Sequence, residues 1–186
     1  MADRALFLDR DGVINIDKGY VYRIEDFEFI DGIFELGQRA ITLGYRIFVV
    51  TNQAGIGRGY YTEADFRSLT DWMLRQFAAA GVEIAKVYHC PSHPQQGVGQ
   101  YRRESFFRKP NPGMLLAARD EFSLDLSRSA LVGDKVSDIQ AGTAAGVGLN
   151  VLLSRGEPRC ALDAELKNVL QVTDLRQVSE LLPSEA

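Results

Sequence analysis

Apolar positions along the chain fall into short continuous runs that alternate with stretches of helical spacing. Ala5-Leu6-Phe7-Leu8 runs straight into Asp9-Arg10-Asp11-Gly12, the layout of a buried strand that ends in charge. A polar and aromatic loop, Val13 to Asp31, follows. Ile33 to Leu43 has the apolar spacing of a helix, and Gly44 suits its end. Tyr45 to Val50 is a β-branched, apolar run that stops at Thr51-Asn52-Gln53. Gly55, Gly57 and Gly59 predict a flexible turn. Thr62 with Asp65 has the form of a capping arrangement, and Phe66, Leu69, Met73 and Phe77 continue helically to Gly81.

Ile84 to His89 predicts a third strand, and Cys90 to Pro112 a long polar loop with no period of its own. Loops of that length are functional or disordered. Pro112 suits the first turn of a helix that runs to about Phe122. Ala130 to Gly133 is a short buried strand that again ends at an acid, Asp134. A helix over Ser137–Ala145 stops at Gly146, and Leu149 to Leu153 forms a fifth strand. Val169 to Val172 predicts a short edge strand, and Leu175 to Leu182 a closing helix. Strand and helix alternate throughout, so the expected fold is a three-layer α/β sandwich around a doubly wound parallel sheet. One domain over residues 1–182 is expected, with 183–186 as a loose tail.

Composition changes this picture little. The 186 residues include 46% hydrophobic and 25% charged, ordinary for a soluble globular protein. A net charge of −4 argues against a general nucleic-acid binder, and no apolar run reaches the length of a membrane span. Two cysteines, Cys90 and Cys160, make no disulfide framework, and the first residues lack a signal-peptide layout. The expectation is a cytoplasmic protein.

Candidate chemistry changes it more. Residues two apart in an extended chain face the same way, so Asp9 and Asp11 repel unless a cation or a shared proton intervenes. Taken alone, each polar residue at a strand end has an ordinary reading: a solvated acidic turn, a helix cap at Thr51, a surface Lys109. In a sheet of this kind, however, ligands bind outside the carboxyl ends of the strands. Asp9 and Asp11, Thr51, Lys109 and Asp134 follow four different strands, and that shared placement points to catalysis.

Asp9-x-Asp11-Gly12, Thr51-Asn52, Lys109 and Gly133-Asp134-Lys135-x-x-Asp138 resemble the four motifs of the haloacid-dehalogenase-like phosphatases. Leu8 to Gly12, Thr51-Asn52-Gln53-Ala54-Gly55, Arg108-Lys109-Pro110-x-Pro112-Gly113-Met114 and Val132 to Lys135 resemble more closely the bacterial D,D-heptose 1,7-bisphosphate phosphatases, whose branch includes the histidinol-phosphate phosphatases. The resemblance implies a Rossmann-like fold in which Asp9 is the nucleophile and Asp11 the acid and base. It implies Thr51 and Lys109 on the phosphoryl oxygens, and Mg²⁺ held by Asp9, the Asp11 carbonyl and Asp134. Asp138 is expected behind these, supporting Lys135 or waters of the metal.

Substrate contacts by the same resemblance are Asp17-Lys18-Gly19-Tyr20, Thr51 to Ala54 (with Asn52 and Gln53), Arg108, Lys109 and Lys135. Asn52 is expected to orient the loop or a substrate hydroxyl. Neither long loop has room for a separate cap domain, so loops alone should cover the site. Close relatives carry Cys-x-His and Cys-x-Cys, a zinc set, before Arg-Lys. Here those positions read Cys90-Pro91-Ser92 and Ser105-Phe106-Phe107, so no structural zinc is expected, with Phe106, Phe107 and the prolines packing the loop instead. The expected activity is Mg²⁺-dependent removal of the 7-phosphate of the heptose bisphosphate by a monomer acting on a small phosphorylated sugar, without nucleic acid or membrane. Histidinol-phosphate hydrolysis and a non-catalytic phospholigand-binding domain are the alternatives.

Overall fold

The computed structural model describes residues 3–155 and 169–184; Cys160 lies outside them. Six parallel strands form one sheet: β1 (Arg4–Leu8), β2 (Tyr45–Asn52), β3 (Ile84–Cys90), β4 (Ala130–Gly133), β5 (Leu149–Leu153) and β6 (Val169–Val172). Their order is β3-β2-β1-β4-β5-β6, with β6 on an edge as its short run predicts. Among the described residues six α-helices accompany them: α1 (Ile33–Thr42), α2 (Ala54–Gly57), α3 (Glu63–Ala79), α4 (Gly113–Phe122), α5 (Val136–Ala145) and α6 (Leu175–Leu181).

β1 is buried at every residue and pairs with β2 on one side and β4 on the other. Alternation of side chains along it feeds two cores. Leu6 and Leu8 join Ile47, Val49 and Val132 against apolar faces of α1, α3 and α6. Ala5 and Phe7 join Phe48, Val50 and Leu131 against α4 and α5. Helices therefore cover both faces, giving the three expected layers. Each fully buried aliphatic or aromatic side chain contributes roughly 1.5–3 kcal/mol, which outweighs the weak propensities of these short strands. The chain turns from β1 toward β2 on one side and β4 on the other, so a crevice opens at their carboxyl ends.

Three local expectations change. The glycine-rich stretch after β2 is a helical turn, α2, not a flexible one. A Cβ on Gly55 would lie 2.2 Å from the Tyr61 ring, and one on Gly57 would lie 2.3 Å from the Pro91 carbonyl oxygen. These glycines serve close packing. Pro112 stands at the cap of α4 rather than inside its first turn, its carbonyl accepting from Leu116 N–H at 3.0 Å. The Thr62 capping box on α3 forms as expected, Thr62 Oγ1 accepting from Asp65 N–H at 3.1 Å.

The third change is in the loop after β3. Phe106 and Phe107 are 60% and 40% exposed, so they do not pack it. The Phe106 carbonyl is pinned to Gly113 N–H at 3.0 Å, and the loop is held by polar contacts around buried Ser92. The Ser92 carbonyl accepts from Arg108 Nη1 at 3.2 Å and its hydroxyl from Arg103 Nε at 3.4 Å. Tyr101 packs beside Ile56, Tyr61 and Phe66. At the other end of the chain, Leu182 is buried and the Pro183 carbonyl accepts from Arg4 Nη1 at 3.0 Å.

Phe7 packs against Phe48 in the middle of the sheet, ring centroids 5.6 Å apart and planes tilted by 31°. Phe7→Ala should cost about 3–5 kcal/mol in urea unfolding, whereas Leu170→Ala, exposed on the edge strand, should stay within about 0.5 kcal/mol. Comparable losses at the two positions would contradict the assignment of the core.

Candidate active site

β1 ends at Leu8, and Asp9 N–H still donates to the Val132 carbonyl at 3.0 Å, so the Asp9 side chain is aimed by the sheet itself. Lys109 reaches the same point from the loop after β3. Its backbone is clamped by Asn52, whose amide donates to the Lys109 carbonyl at 3.0 Å and accepts from Lys109 N–H at 3.1 Å. Asn52 is thus spent on orienting the loop. The Lys109 ammonium contacts Asp9 Oδ1 at 2.8 Å, Asp138 Oδ1 at 2.6 Å and the Val50 carbonyl at 2.8 Å. An ammonium has three donors, and all three are met.

Lys109, Asp9 and Asp138 are 5%, 6% and 2% exposed. Burial alone would lower the Lys109 pKa, but Asp138 and then Asp9 more than offset this, so it is raised and the cation persists. Burial raises the Asp9 pKa, with the Lys109 charge opposing it. Asp138 also caps α5, accepting from Lys135 N–H at 3.0 Å. Its side-chain partner is therefore Lys109 rather than the Lys135 ammonium. A Cβ at Gly133 would lie 2.2 Å from Asp138 Cβ, so the glycine ending β4 is what lets α5 dock this closely.

Asp134 completes the cluster. Ligand oxygens of Asp9, Asp134 and Asp138 lie within 4.8 Å of one another. Asp134 Oδ1 is buried with no hydrogen-bond partner, and burial followed by the Asp9 charge pushes the Asp134 pKa up to about 7. Gly12, at φ +94°, makes room for it: a Cβ there would lie 2.2 Å from Asp134 Oδ2. Three carboxylates share one buried ammonium, with the Lys135 ammonium 3.6 Å from Asp134 at the rim. An orphaned carboxylate oxygen beside a second carboxylate, in a site short of positive charge, suits a small divalent cation. With Asp138 committed to Lys109, the donors left for it are Asp9 and Asp134.

The Asp11 carboxylate points elsewhere. Arg10 Nη2 donates to both its oxygens at 2.9 Å, Asn15 Nδ2 at 3.1 Å and Gln53 Nε2 at 3.0 Å. Thr51 Oγ1 accepts from the same Gln53 amide at 2.8 Å. Asp9, Asp11, Thr51 and Lys109 all line one cavity of about 570 Å³, within the usual range for a small-molecule site.

Two loops supply its rim. Asp17, Gly19 and Tyr20 line it from the loop after β1, and Asn52, Gln53 and Ala54 from the end of β2 and α2. Arg108 and Lys135 line it as well. Lys135 bridges to Asp17 at 3.1 Å. Partial burial would raise the Asp17 pKa, but Gly19 N–H and Lys135 hold it below the usual carboxylate value. Lys18 is the exception among the expected contacts. It does not line the cavity and pairs outward with Glu28 at 3.1 Å.

Arg58 and Tyr61 line the cavity and were not expected there. Both belong to the stretch whose glycines read as flexibility, and only the close approaches at Gly55 and Gly57 betray its order. Among the described residues, the cluster of metal-type side chains is the aspartate one, not Cys90 with its neighbouring histidines. His89 Nε2 lies 3.0 Å from Glu63 Oε2, and His93 Nδ1 accepts from Gln96 N–H at 3.0 Å.

The chain is similar to known proteins. A family model described as HAD-hydrolase-like matches residues 106–178. A D-glycero-alpha-D-manno-heptose-1,7-bisphosphate 7-phosphatase of Burkholderia mallei is 64% identical over 82% of this chain and 81% of its own. A D-glycero-beta-D-manno-heptose-1,7-bisphosphate 7-phosphatase of Vibrio cholerae is 51% identical over 85% of each. The crystal structure of a D,D-heptose 1,7-bisphosphate phosphatase from B. bronchiseptica, complexed with magnesium and phosphate, superposes with a TM-score of 0.83. It is 29% identical and covers 96% of this chain and 97% of its own.

Because Asp134 holds a proton up to about pH 7 in the metal-free protein, a divalent ion must displace it. Mg²⁺ affinity measured by calorimetry should rise on the order of ten-fold from about pH 6 to about pH 8, with roughly one proton released at the lower pH. Affinity independent of pH across that interval would remove Asp134 from the ligand set.

Proposed function

The chain belongs to the D-glycero-D-manno-heptose-1,7-bisphosphate 7-phosphatase family of HAD-like hydrolases, and we propose that it removes the 7-phosphate of that heptose bisphosphate by way of an aspartyl-phosphate on Asp9. It is a phosphoric monoester hydrolase. The observation that carries the reading is the buried cluster in which Asp9 contacts Lys109 and lies beside Asp134, one of whose oxygens has no hydrogen-bond partner. Residues 1–182 would act as one catalytic domain in a cytoplasmic monomer that serves heptose precursor synthesis for the bacterial envelope.

In the first step an Asp9 carboxylate oxygen bonds to phosphorus, and the bond from phosphorus to the C7 oxygen breaks. Asp11 gives its proton to that leaving oxygen, so the sugar departs as an alcohol. In the second step Asp11 takes a proton from water as the water oxygen attacks phosphorus, and Asp9 is released with inorganic phosphate. As Asp9 bonds to phosphorus, Lys109 Nζ turns the donor it gave to Asp9 toward a phosphoryl oxygen, and with Thr51 Oγ1 it meets the charge that builds there. Asp9, Asp134 and the Asp11 backbone carbonyl would hold Mg²⁺, which when bound supplies a positive centre beside the transferring group. The magnesium and phosphate bound by the B. bronchiseptica relative support this choice of ion.

The second phosphate calls for cations away from Asp9. Arg108, Arg58 and Lys135 on the cavity wall supply them. Tyr20 lies under the Arg58 guanidinium at 5.5 Å and limits where that charge can go. The two relatives act on different C1 anomers by their names, so this wall is where the anomer would be chosen. Lys18 falls outside the proposed contacts.

A charge-assisted contact is worth about 1.5–3 kcal/mol, so a second engaged phosphate should favour the bisphosphate by on the order of 10- to 100-fold. With Mg²⁺ present, kcat/KM for the heptose 1,7-bisphosphate should exceed that for histidinol phosphate by at least this factor, and chelation should abolish both. A clear preference for histidinol phosphate would overturn the substrate assignment while leaving the chemistry.

A further inference from the structure

Asp11 is held by Gln53, and Gln53 is in turn held by a residue to which the reaction scheme gives no part. The Tyr61 hydroxyl donates to Gln53 Oε1. At its other end, Gln53 Nε2 donates to Asp11 Oδ2 at 3.0 Å and to Thr51 Oγ1 at 2.8 Å. Gln53 is 2% exposed and Tyr61 5%, so water does not substitute for these contacts. In the structure the Asp11 oxygens accept from Arg10 and Asn15 as well as from Gln53 Nε2, so the amide keeps that end toward Asp11 and its Oε1 toward Tyr61. Burial raises the Tyr61 pKa further above its ordinary value, so the phenol keeps the proton it donates.

The ring itself is locked. Tyr22 stacks on it at 5.1 Å with planes 7° apart, and Gly55 lies so close that a Cβ would sit 2.2 Å from Cε1. Ile56 and Phe66 pack around it. The neighbouring residue of the same loop, Val21, accepts from Arg10 Nη2 at 2.7 Å, and Arg10 grips the other side of Asp11.

We propose that Tyr61 is a positioning residue for this reaction: through the Gln53 amide it fixes the direction in which Asp11 presents its carboxyl group and ties that direction to Thr51. Resting on the assignment of Asp11 as proton donor, the inference adds a residue of the cavity wall that acts on Asp11 through Gln53. Removing the hydroxyl leaves Oε1 buried without a donor, so the amide turns to find one and releases Asp11.

Leaving groups separate this role from a merely structural one. An alkoxide of the sugar needs the proton of Asp11, whereas p-nitrophenolate leaves as a stable anion and does not. Tyr61→Phe should lower kcat for the heptose bisphosphate by roughly 10-fold, a fraction of what a full acid–base group contributes. Its effect on p-nitrophenyl phosphate should be under about 3-fold, and KM for the sugar should change less than kcat. Gln53→Leu should show the same leaving-group split, and the double variant should be no worse than Gln53→Leu, because Tyr61 acts through Gln53. Equal losses on both substrates, or no loss on either, overturn the proposal. Asp11→Asn is run alongside. If it splits the two substrates and neither Tyr61→Phe nor Gln53→Leu does, the positioning role fails alone. If Asp11→Asn itself shows no split, the proton-donor assignment fails and the inference goes with it.

Discussion

The ammonium of Lys109, buried between Asp9 and Asp138, is the constraint on which the rest of the site depends. A cation at this depth is tolerable only when each of its donors has a partner, and removing one partner of such a buried pair costs about 3–5 kcal/mol. Asp9, Asp138 and the Val50 carbonyl meet that need, and they come from β1, α5 and β2. Three elements distant in sequence are thereby fixed to one atom. The sheet aims Asp9, Gly133 lets α5 come close enough for Asp138, and Asn52 holds the Lys109 backbone in place.

The same contact sets the electrostatics. Lys109 offsets Asp9 and Asp138 but leaves Asp134 with an orphaned oxygen and a pKa near neutrality. A site with one carboxylate too many is ready for a divalent ion and, next to it, for a phosphoryl group that Lys109 and Thr51 can both meet. Asp11 stands apart in a separate set of hydrogen bonds with Arg10, Asn15 and Gln53. Two carboxylates two residues apart thus have different neighbours, and that difference underlies their different tasks.

Much of this was legible in the chain. The apolar runs place all six strands found among the described residues to within two residues, because parallel strands buried between two layers of helices leave short continuous apolar runs. Placement at strand ends was enough to collect Asp9, Asp11, Thr51, Lys109 and Asp134. The failures lie where polar groups choose partners, which no hydrophobic period records. Asp138 supports Lys135 through that residue's backbone N–H but gives its other oxygen to Lys109, Lys18 turned outward to Glu28, and Phe106 and Phe107 stayed in solvent while Ser92 gathered the loop by hydrogen bonds. The glycines of α2 looked like freedom and proved to be space for Tyr61 and Pro91, which hid Arg58 and Tyr61 from a reading by pattern.

What the account claims at its centre is that Asp9, held by Lys109, carries the phosphoryl group between the two steps. Acid quenching of the enzyme within a single turnover of radiolabelled bisphosphate, followed by peptide mapping, tests this most directly. Label should appear on the peptide that contains Asp9 and be absent from Asp9→Asn protein. Release of inorganic phosphate in that first turnover with no label on the protein would contradict it.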